Sequence, residues 1–300
     1  MTEETRCNLC GERVVVPDAV RWHKDGFDVV QCPGCGLLFR AKLPAETELE
    51  EIYGADYFVD RSAHGGQGYA HYLADEEVHR LVARRRLDLL GRFGARDPLL
   101  DVGAAAGFFL DEARARGWRV RGADVSDAMA GEARRLGLDV ATGRFDQLEA
   151  EPGEFGTVTM WDYIEHTLDP VGELRRARAL LSGSGVLALS TGDSATAVAR
   201  VSGSRWHLLT PRHHNYFFTG RTLQQTLHRA GFRILWTGHP GARYTLRYLV
   251  HKLRTAAPRS RALAQADERV APSRIGRVTV PVNLRDIITV VAQPGEEAPG

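Results

Sequence analysis

From residue 98 onward, short apolar runs alternate with stretches whose apolar residues recur every three or four positions. The runs at 99–102, 119–123, 138–141, 156–161 and 185–190 predict strands, and the helical spacing predicts helices near 107–116, 127–136, 169–181 and 220–230. Two more strands, at roughly 232–237 and 285–292, are separated by a helical stretch at about 241–256 and a Pro/Arg/Ala-rich loop, an insert spanning 241–277 in all. Such alternation argues for an α/β fold: a doubly wound, seven-stranded, mostly parallel sheet covered on both faces. Upstream, Val78, Leu81, Val82, Leu87 and Leu90 fall at helical spacing between Asp75 and Phe93. The run Arg84-Arg85-Arg86 on that helix reads as a solvated face.

The N-terminal 45 residues have a different texture. All four cysteines of the chain lie there, as Cys7-x-x-Cys10 and Cys32-x-x-Cys35, each pair followed by a glycine, Gly11 or Gly36. A tetrahedral four-thiolate site needs two short turns that each present two sulfurs, and a glycine lets the backbone fold sharply behind the second. RVVV and FDVVQ flank an Asp25-Gly26 turn signal, which suits a zinc ribbon of short hairpins over residues 1–45. An iron–sulfur cluster is the rival reading of the same four residues. A closed four-sulfur site leaves no open position for substrate, so no catalysis is assigned to it.

The charge balance narrows the partners. Lys+Arg 39 against Asp+Glu 38 in 300 residues leaves a formal net charge of +1, which gives no global pull toward nucleic acid or membrane. No apolar run approaches the ~18 residues of a membrane span, and MTEETRCNLC has no basic region followed by an apolar stretch. A cytoplasmic protein is the expectation.

The chemistry concentrates in LLDVGAAAGFFLDEA, residues 99 to 113. A strand ending at Asp101, the turn Gly103-Ala104-Ala105-Ala106-Gly107 and a helix form a phosphate-loop-like turn in which Ala105 replaces a middle glycine. Asp101, just before the turn, is unwelcome beside a pyrophosphate and suits an ammonium. Asp124 follows 23 positions later at the end of the next strand, where a carboxylate accepts both hydroxyls of a ribose. A ligand with a cationic amino-acid end and a nucleoside end is implied, and S-adenosylmethionine meets both conditions.

At these residues the chain resembles the class I S-adenosylmethionine-dependent methyltransferases, whose first motif runs acidic-x-Gly-x-Gly-x-Gly after the first strand. The resemblance implies a Rossmann-like domain over 97–293, with Asp101, Gly103, Ala105 and Gly107 lining the methionine side and Asp124 on the ribose. The departure at Ala105 is tolerated if its φ stays below zero. VTMWDYIEHTLDP, residues 158 to 170, looks like the family's fourth strand and following loop, and AGFRILW and DIITVVAQ like its closing antiparallel pair. The ribbon, Asp56-Tyr57-Phe58, the stretch Gly68, Tyr69, Tyr72 and the run Pro211-Arg212-His213-His214 resemble a subgroup associated with bacterial small-molecule and sugar modification. Residues 46–96 are then a helical linker and donor-site lid, the insert an acceptor lid, and 294–300 a disordered tail.

Methyl transfer from a sulfonium needs donor carbon and acceptor atom held collinear at about 3 Å, and a hydroxyl acceptor benefits from a base. His166, His213 and His214 follow the fourth and fifth strands, at the end of the sheet where such folds bind ligands. His214 is the first choice for the base and His166 the second, against the bland reading that each only hydrogen-bonds backbone or ligand. Glu165 either orients His166 or caps the helix that follows. Of the aromatics Tyr69, Tyr72, Trp161, Trp206, Tyr216 and Phe217, Trp161 and Tyr69 are the preferred donor-pocket walls. Phe145-Asp146 reads as an adenine contact or as a helix start capped by Asp146. The expectation is a zinc-ribbon methyltransferase acting on a small molecule: a sugar, a sugar nucleotide or a secondary metabolite. The rivals are an RNA methyltransferase, disfavoured by the charge balance, and a non-catalytic donor-binding module whose ribbon docks a partner.

Overall fold

A computed structural model describes residues 3–45, 48, 69–257 and 260–295. The strands are β1 (Glu4–Arg6), β2 (Arg13–Val15), β3 (Val20–Lys24), β4 (Phe27–Gln31), β5 (Leu38–Arg40), β6 (Leu99–Val102), β7 (Val120–Asp124), β8 (Val140–Thr142), β9 (Phe155–Trp161), β10 (Leu181–Gly192), β11 (Tyr216–Phe217), β12 (Phe232–Gly238), β13 (Ala242–Thr245), β14 (Thr279–Val282) and β15 (Ile287–Pro294). The helices that matter for the site are α1 (Tyr69–Ala74), α2 (Glu76–Gly91), α3 (Phe108–Ala115), α4 (Asp127–Arg135), α5 (Pro170–Leu180), α6 (Gly220–Arg229), α7 (Leu246–Ala256) and α8 (Arg261–Val270).

Seven strands form the main sheet in the order β12-β15-β10-β9-β6-β7-β8. Only β15 runs antiparallel to its neighbours. Every residue of β6 and β9 is buried, because helices cover both faces and no solvent side is left to alternate with. The chain leaves β6 toward β7 and β8 on one side and returns to β9 and β10 on the other. The crevice beyond the carboxyl ends of β6 and β9 is thus the switch point where doubly wound sheets bind ligands.

The ribbon is continuous with this domain. Strands β3, β4 and β5 form a sheet whose fourth member is β11, from the segment after β10. Tyr216 pairs with Phe39 and Phe217 with Leu38, and the Arg40 N–H donates to the Asn215 carbonyl at 2.9 Å. Cys7, Cys32, Leu37 and Phe39 share one apolar core with Tyr216, Phe218 and Leu223. Burying each large side chain contributes about 1.5–3 kcal/mol, so the contact is structural as well as topological.

The insert differs from its expected form. It opens with β13, paired antiparallel to β14, before α7 begins. The Pro/Arg/Ala-rich stretch expected as a loop contains α8, started by Ser260, whose side chain accepts the Leu263 N–H. Of the region read as a helical linker and donor-site lid, 46–96, residues 46–47 and 49–68 lie outside the described residues and the rest carries α1 and α2; residues 296–300 of the tail are also outside.

Candidate active site

The turn after β6 is flanked by two carboxylates, Asp101 buried and Asp124 half-buried. Asp101 is 3% exposed, and its Oδ1 accepts the Thr159 hydroxyl at 2.6 Å from the neighbouring strand. Burial pushes its carboxyl up to about 7. Asp124, at the end of β7, accepts the Ala105 N–H at 2.7 Å on one oxygen and the Ser126 N–H at 2.8 Å on the other. Burial raises its value also, and those two amides oppose the rise. Each oxygen keeps lone-pair capacity for a hydroxyl.

The backbone of this turn is left-handed at three positions, and one corrects an expectation. Ala105 sits at φ +46°, not below zero. The turn therefore keeps the shape a glycine would give it, at a cost of about 1–2 kcal/mol. The short bond from its amide to Asp124 holds it there. Gly103 and Gly107 sit at φ +76° and +77°. A Cβ on Gly107 would lie 2.5 Å from Leu138 and 2.8 Å from Ala133, so this glycine lets α3 pack against α4. A Cβ on Gly103 would lie 2.8 Å from the Tyr163 ring.

Among the described residues the turn opens into a cleft of about 2360 Å³ that runs from Asp101 and Asp124 to the insert. Trp161, at the end of β9, lines it, packed edge-on against Phe109 with its indole Nε1 buried and, among the described residues, without a partner. Arg86 lies over the same ring, 4.4 Å from its centroid, and donates to Asp162 at 2.7 Å and to the Ser190 hydroxyl at 3.1 Å. The arginine run is therefore not a uniform solvated face. Arg84 pairs with Glu112, Arg85 donates to the Gly241 carbonyl, and Arg86 points into the cleft. A helical pattern shows which residues share a face but not that a carboxylate across the cleft will draw one side chain inward. Asp162 itself is left-handed at φ +52°, a strained position of the kind that collects at functional sites.

Tyr72 lines the cleft, stacked on His79 at 4.1 Å and on Phe108 at 5.8 Å. Tyr69 starts α1, and its side chain lies outside the described residues. The other three aromatics, which were not the preferred walls, do not line the cleft. Trp206 is buried and donates its indole N–H to Asp286 at 3.2 Å, Tyr216 donates its hydroxyl to the Leu168 carbonyl at 2.7 Å, and Phe217 belongs to the ribbon sheet. Phe145 and Asp146 occupy a short 3-10 turn after β8 at the cleft edge. Asp146 pairs with Arg144 instead of capping that turn.

The histidines are arranged differently from their predicted order. His166 lines the cleft, and His214 does not. His166 Nδ1 donates to the His213 carbonyl at 3.0 Å and His214 Nδ1 to the Leu208 carbonyl at 2.9 Å, with the two rings edge to face at 4.7 Å. Burial lowers both, and His166 adds to the depression of His214, so both rings are neutral at neutral pH. Glu165, 4% exposed and pushed up to about 8 by burial, brings a carboxylate oxygen within 4.8 Å of both imidazoles. It does not cap α5, because the Asp169 side chain does, accepting the Gly172 N–H at 2.9 Å. The Asn215 amide ties the two loops together by donating to the carbonyls of His166 and Thr167.

The four sulfurs of the ribbon gather at one point. Cys7 and Cys35 approach to 3.5 Å and Cys10 and Cys32 to 3.4 Å, and all four lie within 4.8 Å of one another. Tetrahedral zinc–thiolate geometry places sulfurs about 3.8 Å apart, so the set fits that ion. The two turns are near copies: Gly11 donates to the Cys7 carbonyl and Gly36 to that of Cys32, at φ +77° and +82°.

A family model described as a methyltransferase domain matches residues 69–236, more than half of the chain. The chain belongs to the methyltransferase domain family. It is 32% identical over 162 residues to the ubiquinone biosynthesis O-methyltransferase of Xanthomonas euvesicatoria, a match that spans 50% of this chain and 66% of that one. It is 34% identical over 155 residues to the enzyme of the same name in Xanthomonas campestris, spanning 49% and 61%. The chain thus spans less than two thirds of the length of these curated relatives. Among solved structures it is similar to magnesium protoporphyrin IX methyltransferase from Synechocystis, with bound SAH, at a TM-score of 0.53 and 17% identity, covering 84% of this chain and all of that one. A possible histamine N-methyltransferase from Thermotoga maritima follows at 0.51 and 18%, covering 75% and 96%. These likenesses confirm the class I methyltransferase fold that the turn and strand order implied.

Proposed function

We propose that this methyltransferase-family chain moves the methyl group of S-adenosylmethionine to a hydroxyl of a small-molecule acceptor bound in the cleft. The observation that carries this is the pair of carboxylates, buried Asp101 and half-buried Asp124, at the carboxyl ends of adjacent strands on either side of a left-handed turn. The cleft residues fit the donor. Asp101 takes the ammonium, Arg86 or the unpartnered indole N–H of Trp161 takes the carboxylate, and Asp124 takes the ribose hydroxyls. Phe145, Asp146 and Tyr69 are assigned to the nucleoside side, with Gly103, Ala105 and Gly107 shaping the turn beneath it.

The donor supplies an electrophilic methyl carbon, which needs no activation. The chain's task is to align the acceptor oxygen and remove its proton. That base is assigned to His166, which reaches the cleft wall as a neutral ring, with His214 and Glu165 behind it as positioning groups. Structural zinc on Cys7, Cys10, Cys32 and Cys35 completes the reading. The names of the matched relatives support an oxygen acceptor. Purified protein given donor with a labelled methyl and a panel of hydroxylated metabolites tests it: label appears in product, and His166→Ala lowers turnover by about 100-fold or more while His214→Ala has a smaller effect. Retention of label in the donor across the panel and a whole metabolite extract sinks the reading.

A further inference from the structure

Among the described residues, one cluster of metal-ligating side chains stands apart from the four cysteines. A carboxylate oxygen of Glu165 and one ring nitrogen each of His166 and His214 lie within 4.8 Å of one another. Glu165 and His166 are consecutive on a short 3-10 turn after β9, Ile164–His166, and His214 comes from the loop before β11. Buried Asn215 locks the two loops together. Its backbone N–H donates to the Glu165 carbonyl at 2.8 Å, and its side-chain amide donates to the carbonyls of His166 and Thr167. The three side chains therefore hang from one rigid seam.

Backbone partners fix which atoms of the cluster carry lone pairs. A carbonyl only accepts, so the Nδ1 atoms of His166 and His214, 3.0 Å from the His213 carbonyl and 2.9 Å from that of Leu208, carry the ring protons. Nε2 is then the lone-pair nitrogen of each ring, and an Nδ1–H held by a carbonyl is the arrangement that orients a metal-binding imidazole. Glu165 Oε2 is buried with no hydrogen-bond partner among the described residues. A dry carboxylate oxygen is costly until a donor or a cation reaches it. A proton serves one pair of these three groups at a time, whereas a divalent ion serves all three. The spacing suits such an ion: two imidazoles bound at about 2.0–2.1 Å put their ring centroids roughly 4.5–5.3 Å apart. Those of His166 and His214 are 4.7 Å apart.

We propose that Glu165, His166 and His214 form a second metal site, for an exchangeable divalent transition ion of the zinc or cobalt kind, and that the bound ion blocks methyl transfer. Two imidazoles select such an ion over magnesium, which takes oxygen ligands. The four-sulfur centre is closed, but this site has three protein ligands, one of them on the cleft wall, and a proton competes for each, so the ion leaves on dialysis. The blockade rests on the methyl-transfer reading of the cleft. The lone pair of His166 that takes the acceptor's proton is the one the ion occupies, so the base is withdrawn while the donor site on Asp101 and Asp124 is untouched.

Protein with zinc in the ribbon and S-adenosylhomocysteine bound is titrated with cobalt(II) chloride, and magnesium chloride is then added as a competitor. One equivalent of cobalt should bind, giving visible d–d bands without the intense thiolate-to-metal charge transfer of a cobalt-filled ribbon, and magnesium should not displace it. Glu165→Gln, His166→Gln and His214→Gln should each weaken cobalt at least roughly ten-fold and leave S-adenosylhomocysteine affinity unchanged, which also reports that the variants fold. In the labelled-methyl assay turnover should fall with the midpoint of the spectral titration and return on dialysis. Thiolate bands alone, no cobalt bound, displacement by an equal concentration of magnesium, or an affinity indifferent to the three substitutions overturns the site and leaves the methyl-transfer reading standing. Cobalt that binds as described and leaves turnover unchanged or higher overturns the blockade. Failure of S-adenosylhomocysteine to bind overturns the methyl-transfer reading and the blockade with it, and the cobalt spectrum still decides the site.

Discussion

Replacing Asp101 by asparagine should make the ligand-free protein more stable and the donor site useless. The carboxyl is 3% exposed and pushed from its ordinary 3.8 up to about 7 by burial, with Asp124 adding to the rise and the Thr159 hydroxyl and Arg86 opposing it. An acid whose folded value lies above its unfolded value binds more protons in the fold. Its ionisation therefore erodes stability as pH climbs between the two, here from about 4 to about 7, and the loss is complete above that. Carried through, the window corresponds to at most about 4 kcal/mol at pH 8, and relaxation around the charge reduces the measurable part to about 1–3 kcal/mol. Asparagine keeps an oxygen for the Thr159 hydroxyl and carries no charge. Urea unfolding of Asp101→Asn should show this gain at pH 8 and less than half of it at pH 5, where the wild-type carboxyl is protonated in the fold. The same variant should lose about 100-fold or more in affinity for S-adenosylhomocysteine, because a buried ammonium would be left unpaired. A variant less stable than wild type at pH 8, or a gain that ignores pH, would refute the reasoning.

Gly107→Ala forces a left-handed alanine against Leu138 and Ala133, and should destabilise by about 2–5 kcal/mol from backbone strain and overpacking together; a melting temperature within two or three degrees of wild type, on the scale of roughly 2–4 degrees per kcal/mol, contradicts that geometry. Metal analysis should find one zinc per chain, and stripping it with a chelator should raise amide exchange at 213–217 as well as in the ribbon, because β11 is a strand of the ribbon sheet. Unchanged exchange in that segment after metal loss would show that the ribbon and the histidine loop are uncoupled.

The main sheet was legible because strands buried on both faces must be apolar runs, and the runs at β6, β9 and β10 are of that kind. The places of Asp101 and Asp124 at the ends of β6 and β7 were legible because the pattern locates strand ends. What the pattern could not carry was pairing across distance. A two-residue strand such as β11 has no periodicity, so nothing in the pattern showed that Tyr216 and Phe217 pair with Phe39 and Leu38. His166 and His214 were placed at the right end of the sheet, but their order depended on which loop faces the cleft. Arg86 was hidden because its partner, Asp162, is 76 residues away. The sign of φ at Ala105 depended on the carboxylate of Asp124 capturing its amide, a contact between two separate loops.

The proposed donor site assigns Asp101 and Asp124 to opposite ends of one ligand, and calorimetry with two ligands separates them. S-adenosylhomocysteine carries both the amine and the ribose, whereas methylthioadenosine has only the nucleoside end. Asp101→Asn should lose the first ligand and keep the second, and Asp124→Asn should lose both. Binding of S-adenosylhomocysteine that is indifferent to both substitutions, or methylthioadenosine affinity that falls equally with either, would contradict the assignment.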